Sequence, residues 1–242
     1  MAEGGQKLAA VLGALKDATK AGVTTLSLDK LAREHIVALG AKPAFLNYRP
    51  HGATHAYPYT LCTSPNSVVV HGQPSKYVLK NGDIISLDLG LIERGYYLDA
   101  AITVAIGTVP KETKKLLATT REALELAIKA AKPGNTFGDV GAAVQAIVKK
   151  NKFSVVEGLT GHGIGKQLHE DPPVFNFGKP GEGDVITPGM VLAIEPMVAV
   201  GRGRIHQLKD ESYGTVDGSL AAHFEHTVAI TEKGPRVLTL LK

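Results

Sequence analysis

Two aspartates within one apolar hairpin constrain the fold of this chain more than any other feature. Segment 83–99 predicts two apolar strands joined by a tight turn at residues 93–95, where Gly95 can take the positive φ of a short turn. Pairing residues whose numbers add up to 187 places Asp88 opposite Asp99. Opposed carboxylates repel and need a shared proton or a cation. The hairpin therefore indicates half of a metal site, unless one aspartate faces water at a strand end.

The amino-acid composition is that of an ordinary globular protein. The 242 residues are 44% hydrophobic and 21% charged, which suits one large domain with a substantial core and excludes a disordered chain. The net charge of +4 fits a solvated lysine surface, with docking on a polyanion such as ribosomal RNA as the weaker interpretation. Aromatic residues are 5% and tryptophan is absent, which disfavours a base-stacking surface.

Cysteine usage and the N-terminus predict a cytoplasmic protein. Cys62 is the single cysteine, so the sequence holds neither an internal disulfide nor a CxxC zinc pattern. The first ten residues lack the apolar core of a signal peptide, and no apolar run has the length of a membrane span.

Helix and strand patterns predict an α/β (α+β) chain. Apolar spacing indicates helices over residues 6–20, from Ser27 to Gly40, over about 111–132, and a fourth one after Gly134. A glycine, an apolar strand and a carboxylate recur at 82–88 and 189–195. This weak repeat favours two pseudo-symmetric halves, about 1–110 and 111–242, whose equivalent strand ends meet centrally.

Four further segments place a histidine or an acid at a glycine turn or a strand end. His162 is flanked by glycines, which let a backbone approach a ligand closely, and His169 follows in a turn-forming context. Glu195 ends one apolar strand and Glu225 begins another, and neither acid is expected to be buried without a counter-charge. From spacing alone, His169 could be a ligand, a substrate donor or a surface residue.

The candidate ligands form a hard, oxygen-rich set of four carboxylates and one imidazole: Asp88, Asp99, His162, Glu195 and Glu225. Such a set suits Mn(II), Fe(II), Co(II), Ni(II) or Zn(II). Because carboxylates bridge, it could hold two ions about 3.5–4 Å apart with a hydroxide between them, which would be a nucleophile for hydrolysis. Without a cysteine among the candidates, a structural zinc site is disfavoured.

These motifs, in this order and spacing over nearly the whole chain, resemble the type I methionine aminopeptidases. The resemblance rests on His71-Gly72, Asp88, Asp99, Gly161-His162-Gly163-Ile164-Gly165, His169-Glu170, Ile194-Glu195-Pro196-Met197 and Phe224-Glu225-His226-Thr227. It implies the pita-bread fold, with an antiparallel sheet covered by helices in two pseudo-symmetric halves around a metal site, as one catalytic domain over residues 1–242. It implies removal of the initiator methionine from nascent chains whose second residue is small.

The resemblance also implies roles for single residues. The five candidate ligands would bind two divalent ions, with Asp99 and Glu225 bridging them. His71 would contact the substrate near the scissile amide, and His169 would polarise the scissile carbonyl. Glu195 would also take the proton of the attacking water and pass it to the leaving amine.

A methionine pocket is implied for five residues: Phe45, Tyr48, Tyr57, Cys62 and Leu168. Three departures from the family pattern bear on specificity. The loop from Arg49 to Ala56 is longer than in the commonest bacterial pattern, His223 stands where glutamine is frequent, and tryptophan is absent from the pocket position that often carries it.

Two alternatives stay open. Another pita-bread peptidase, of the Xaa-Pro aminopeptidase or dipeptidase type, would share these ligands but usually carries an extra N-terminal domain. A non-catalytic pita-bread module that binds ribosomes or RNA would typically have lost ligands, whereas all five are present here. The resemblance implies a monomer that acts on nascent polypeptide N-termini, with transient ribosome contact and without membrane attachment or sequence-specific nucleic acid binding.

Overall fold

The computed structural model describes residues 1–49 and 54–240 of the chain. Residues 50–53 of the predicted long loop therefore lie outside the described residues. The helices of the described part are α1 (Ala2–Ala18), α2 (Thr25–Ala38), α3 (Lys111–Ala130) and α4 (Phe137–Lys150).

Helices α1 and α2 both begin earlier in the chain than the sequence predicted. Helix α1 begins at Ala2, four residues before its predicted start, because residues 2–5 have no apolar spacing to reveal them. Helix α2 is capped by Thr24, whose hydroxyl accepts the backbone N–H of Ser27 at 3.2 Å. Ser27 thus lies in the first turn rather than at the cap, since either hydroxyl residue could have served.

The described strands are short except for one long hairpin. They are β1 (Lys42–Pro43), β2 (Leu61–Pro65), β3 (Val68–Val70), β4 (Ile84–Glu93), β5 (Tyr96–Ala105), β6 (Ser154–Val155), β7 (Gly161–Gly163), β8 (Glu170–Val174), β9 (Val191–Ile194), β10 (Met197–Ala199), β11 (Ile205–Gln207), β12 (Tyr213–Thr215), β13 (Ala221–His223), β14 (Glu225–Thr231) and β15 (Gly234–Val237).

One antiparallel sheet combines strands from the N-terminal part of the chain, up to β5, with strands from the C-terminal part, from β7 onward. Its strand order is β1-β4-β5-β14-β9-β7-β8, with β2 added to β4 and β15 added to β14. Strands β5 and β14 pair at its centre, so the aspartate hairpin lies directly beside the strand that begins with Glu225. Two three-stranded sheets, β13-β10-β6 and β11-β12-β3, complete the strand pairing in the described residues.

The hairpin turn lies one residue later than predicted. Arg94 and Gly95 both have positive φ, 51° and 77°, and Glu93 pairs with Tyr96 across them. Positive φ at both central residues is the geometry of a type I′ turn, which matches the twist of antiparallel strands. Arginine rarely adopts a positive φ, so residue type did not indicate a turn centred on Arg94 and Gly95.

The predicted pairing of Asp88 with Asp99 is therefore wrong. Asp88 pairs with Ala101, and Asp99 pairs with Gly90, so the two aspartates are diagonal neighbours. The error is a register shift of two residues. An even shift keeps every side chain on its predicted face of the sheet, so both carboxylates still lie on the same face.

Two apolar clusters cover the other face of the sheet. Helices α1 and α2 share one cluster with the hairpin, which includes Leu12, Ile36 and Leu89, all at most 5% exposed. Helices α3 and α4 share the second with β9 and β14, which includes Leu124 and Leu192. Packing against the four helices stabilises the sheet. The opposite face carries the two aspartates. Within the described residues, no helix combines the length and apolar character that crossing a bilayer requires.

A buried ion pair ties α1 to the end of the hairpin. Lys7 Nζ lies 2.7 Å from Glu93 Oε2, and the Glu93 side chain is 9% exposed. We expect Lys7→Met to lower the free energy of unfolding by about 1–3 kcal/mol, because it leaves a largely buried carboxylate without its closest cation. Urea denaturation measures this loss.

The exposed pair of Lys30 and Glu34, 3.9 Å apart, provides the control. Lys30→Met should change the free energy of unfolding by less than about 0.5 kcal/mol, since exposed pairs contribute little. Equal losses in the two variants would contradict a special role for the Lys7 pair.

Candidate metal centre

The candidate ligands lie on one face of the nine-stranded sheet. In β4, Asp88 alternates with the core residues Leu87 and Leu89, so its side chain points away from α1 and α2. Asp88 pairs with Ala101, and Ala101 pairs in turn with Glu225 of β14. Directly paired residues share a face, so Asp88 and Glu225 point the same way across three adjacent strands.

A neighbouring row of pairs, two residues along β14 and on the same face, leads to the histidine. Thr227 of β14 pairs with Ala193 of β9, and Ala193 pairs with His162 of β7. Small residues, Gly90, Ala101 and Ala193, thus alternate with the functional side chains on this face. At these positions no long side chain stands between the functional groups.

A buried threonine fixes the backbone of Asp99. The hydroxyl of Thr227 accepts the Asp99 N–H at 3.0 Å and donates to the Asp99 carbonyl at 2.7 Å. This single hydroxyl thus links the Asp99 backbone of β5 to β14. The Asp99 carboxylate is therefore held in place by a neighbouring strand and not only by its own hairpin.

Two groups of potential ligands share Glu225. One ligand atom each from Asp99, His162 and Glu225 lie within 4.8 Å of one another, and the same holds for Glu195, His223 and Glu225. Asp88 adjoins the first group, because its carboxyl group interacts directly with that of Asp99. The structure thus brings all five predicted ligands together.

Electrostatics show that this cluster is strained without a cation. Burial raises the pKa of Asp88 to about 6, with His223 opposing the shift and Glu195 adding to it. Burial likewise raises the pKa of Asp99 and of Glu225, and neighbouring carboxylates raise both further. One carboxylate oxygen of each of Asp88, Asp99 and Glu225 is buried without a hydrogen-bond partner among the described residues. Divalent cations would satisfy these oxygens and offset the repulsion, so the residues present fit a metal site.

His162 is oriented for such a role. Its Nδ1 lies 2.8 Å from the carbonyl of Gly163, to which an Nδ1–H donates, and this leaves the lone pair of Nε2 facing the carboxylates. Nε2 lies 3.6 Å from Glu195 Oε1. The flanking glycines have a different purpose from the predicted one. A Cβ at Gly161 or Gly163 would lie within 2.3 Å of a carbonyl oxygen of a neighbouring strand, so they permit strand packing rather than ligand approach.

Two further histidines border the cluster. The ring centroid of His169 lies 4.5 Å from that of His162, and its Nδ1 lies 2.7 Å from the hydroxyl of Tyr48. Desolvation and the nearby His162 ring lower the pKa of His169 to about 4, so the ring is neutral at neutral pH. His71 has a positive φ of 60°, packs edge-on against the Tyr213 ring and interacts electrostatically with Glu195.

Comparison with known proteins places this geometry in a family. The family model described as Metallopeptidase family M24 matches residues 1–232. This chain belongs to metallopeptidase family M24. Two relatives named methionine aminopeptidase are those of Clostridium perfringens, 43% identical over 100% of this chain and 95% of the relative, and of Bacillus subtilis, 42% identical over 99% and 94%.

Solved structures agree with this assignment. The methionine aminopeptidase of Thermotoga maritima matches with a TM-score of 0.94 and 43% identity, covering 99% of this chain and 95% of that one. The prolidase of Pyrococcus furiosus matches with a TM-score of 0.79 at 22% identity, covering 100% of this chain and 63% of that one, and shows a shared fold alone. The pita-bread fold that the sequence predicted is thereby confirmed.

In this M24 chain, the five residues predicted to form the methionine pocket come together. Phe45, Cys62 and Leu168 are buried in one apolar cluster, and Tyr48 and Tyr57 pack against it. Cys62 pairs with Asp88 across β2 and β4, so the cluster adjoins the ligand group. The sequence missed five further members, Ala44, Ile92, Tyr97, Ile164 and Val191, because they reach the cluster from four separate segments.

His223 is the functional group that sequence reasoning missed within the M24 centre. It was noted only as a departure from a frequent glutamine, yet it is 1% exposed and belongs to one of the two ligand groups. A histidine two residues before Glu225 was the available signal. Although His223 ends β13 and Glu225 begins β14, side chains two positions apart in an extended segment point to the same side, and this spacing could have indicated that they lie close together.

Replacing one acid of this centre by its neutral amide should reveal, as a change in melting temperature, how strongly the carboxylates repel each other. We expect Asp88→Asn to raise the melting temperature of the metal-stripped protein by a few degrees, since 1 kcal/mol corresponds to about 2–4 °C in a chain of this size. The same variant should gain less melting temperature from added Mn(II) than the unmodified protein, because it has one anionic ligand fewer.

Differential scanning calorimetry with and without Mn(II) measures both effects. Asp184→Asn, at an exposed loop position, should leave both melting temperatures unchanged. A lower melting temperature for metal-stripped Asp88→Asn would contradict the repulsion that we describe.

Proposed function

We propose that this chain removes the N-terminal methionine from polypeptides whose second residue is small, with the help of two divalent ions. The observation that carries the proposal is the cluster of four carboxylates and His162 beside the apolar cluster that contains Phe45, Cys62 and Leu168. Membership of family M24 and relatives named methionine aminopeptidase at 41–46% identity support it. Asp88, Asp99, His162, Glu195 and Glu225 would hold Co, Mn, Fe, Ni or Zn ions.

Bound ions would supply a water-derived nucleophile at neutral pH and offset the charge that develops on the scissile carbonyl. The rest of the chemistry belongs to side chains of this chain. Glu195, whose Oε1 faces His162, would take the proton of the attacking water and deliver it to the leaving amine. His71, at the border of the cluster, would contact the substrate near the scissile amide.

His169 would stabilise the developing oxyanion as a neutral hydrogen-bond donor. When the Tyr48 hydroxyl donates to Nδ1, the single proton of the neutral ring lies on Nε2. Nε2–H can then donate to the carbonyl oxygen of the scissile bond. Tyr48 thus acts through His169, in addition to its place at the edge of the apolar cluster.

The apolar cluster would receive the methionine side chain. Phe45, Tyr48, Tyr57, Cys62 and Leu168 would line it, and the thioether suits such an aromatic and sulfur-containing surface. The Phe45 ring packs over Gly90, where a Cβ would lie 2.6 Å from a ring carbon. Any side chain at position 90 would therefore push Phe45 out of the cluster.

We further infer the setting in which the chain works. Residues 1–110 and 111–242 would be pseudo-symmetric halves of one catalytic domain that acts in the cytoplasm as a monomer on nascent chains. The net charge of +4 is compatible with brief contact with ribosomal RNA. Ribosome pelleting at rising salt concentrations tests that contact.

The function is tested with metal-stripped protein and the peptide Met-Ala-Ser. Free methionine should appear only after Co(II) or Mn(II) is added, and Asp99→Asn should abolish release, because the variant loses one of the buried carboxylates that would hold the ions. Ala-Pro dipeptide is the control substrate that separates the Xaa-Pro peptidases. Absence of methionine release from folded protein with every divalent ion tried would overturn the proposal and favour a binding module.

The coupling of Tyr48 to His169 gives a second prediction. His169→Ala should lower kcat by about 100-fold or more, and Tyr48→Phe by about tenfold, while bound metal stays at the level of the unmodified protein. The double variant should be no slower than His169→Ala alone, because the tyrosine acts through the ring that is missing.

Steady-state kinetics and elemental analysis of metal content measure both quantities. Tyr96→Phe, at the distal hairpin turn, is the matched control and should keep full kcat. If His169→Ala lost its metal, or if the two substitutions had additive effects on kcat, the roles proposed for this pair would be wrong.

A further inference from the structure

His223 lies inside the metal centre but outside the set of five ligands. It ends β13, where it pairs with Met197 of β10, and only 1% of its side chain is exposed. Its Nε2 lies 3.3 Å from Glu195 Oε2 and 3.9 Å from Glu225 Oε2. A buried imidazole between two carboxylates has three possible roles: hydrogen-bond donor, ion-pair partner or metal ligand.

The hydrogen-bonding geometry disfavours the donor role. Neither ring nitrogen of His223 forms a hydrogen bond of acceptable geometry with any described residue, although Glu195 is within reach of Nε2. Nε2 lies close to one oxygen of each carboxylate without completing a hydrogen bond of good geometry to either. Asp88, Asp99 and Glu225 each have a buried oxygen that also lacks a hydrogen-bond partner among the described residues. His223 and these three carboxylates therefore all have buried polar atoms that a bound cation could satisfy.

The backbone of His223 is fixed by the same device as the backbone of Asp99. The hydroxyl of Thr103 accepts the His223 N–H at 2.9 Å and donates to the His223 carbonyl at 2.7 Å. Thr227 makes this pair of bonds with Asp99. Thr103 is itself held by Ser86, 2.8 Å away between the two hydroxyl oxygens. The fold thus positions His223 as firmly as it positions a ligand.

Each of the two ligand groups contains one imidazole. Asp99, His162 and Glu225 form the first, and Glu195, His223 and Glu225 form the second, with Glu225 common to both. We propose that His223 is a sixth protein ligand, which supplies a second imidazole to the metal centre. The proposal rests on the proposed function only in that the centre holds divalent ions.

A second imidazole has a consequence for metal preference. Imidazole favours Co(II), Ni(II) and Zn(II), whereas an all-oxygen position suits Mn(II). We expect His223→Gln to weaken Co(II) binding at one of two positions by at least about tenfold and to weaken Mn(II) binding less. Glutamine retains an N–H donor near the place of Nε2 but is a poor metal ligand, so it separates the ligand role from a hydrogen bond to Glu195.

Isothermal titration of metal-stripped protein with Co(II) and with Mn(II) alone measures these affinities. His206→Gln, at an exposed position of β11, is the matched control and should bind both ions like the unmodified protein. Unchanged Co(II) affinity in folded His223→Gln would overturn the proposal.

Spectroscopy on the unmodified protein provides a test that does not depend on the folding of a variant. Pulsed electron paramagnetic resonance of Mn(II)-loaded protein, labelled with ¹⁵N-histidine, counts the histidine nitrogens bound to the ions. Two distinct couplings are expected, of which His223→Gln loses one and His162→Gln loses the other. A single coupling that His223→Gln retains would overturn the proposal.

These measurements use the metal without a peptide, so they are independent of hydrolysis. A protein that shows two histidine couplings but releases no methionine would contradict the proposed function and leave His223 as a ligand. A protein that releases methionine but shows a single histidine coupling would support the proposed function and exclude His223 as a ligand.

Discussion

Repulsion among buried carboxylates is the constraint on which this structure depends. Asp88, Asp99 and Glu225 are each at most 8% exposed, and Glu195 lies beside them. Gathering these charges in a poorly solvated space is unfavourable unless protons or cations are shared among them. The apolar clusters under α1 to α4 stabilise the sheet that holds the charges together. Binding of cations is therefore expected to couple directly to the stability of the whole domain.

The acidic side chains are held on or directly beside hydrogen-bonded strands of the sheet rather than on loops. The candidate ligands come from β4, β5, β7 and β14 and from the residue after β9, and small residues lie between them. Hydroxyl groups of Thr227 and Thr103 fix the backbones of Asp99 and His223 from neighbouring strands. Such positioning keeps the donors in place before any ion arrives, which lowers the reorganisation that binding requires.

The fold of this chain is shared by proteins of distant sequence. The prolidase of Pyrococcus furiosus has the same fold at 22% identity, while this chain spans 63% of its length. The shared fold therefore leaves the surroundings of the sheet face to the individual sequence. Here that surrounding is an apolar cluster built from β2, the segment before residue 50 and the turn before His169.

The sequence by itself determined the family, the α/β class, the apolar strands and a set of candidate ligands that the structure brings together, because alternation and motif order are local properties of the chain. It failed on the hairpin register, where Arg94 adopts a positive φ that residue type did not reveal. It also failed on His223, whose importance depends on strands brought together from distant segments. Only the tertiary structure decided which side chains converge, since distances between β4, β13 and β14 follow from packing and pairing across the sheet and not from spacing along the chain.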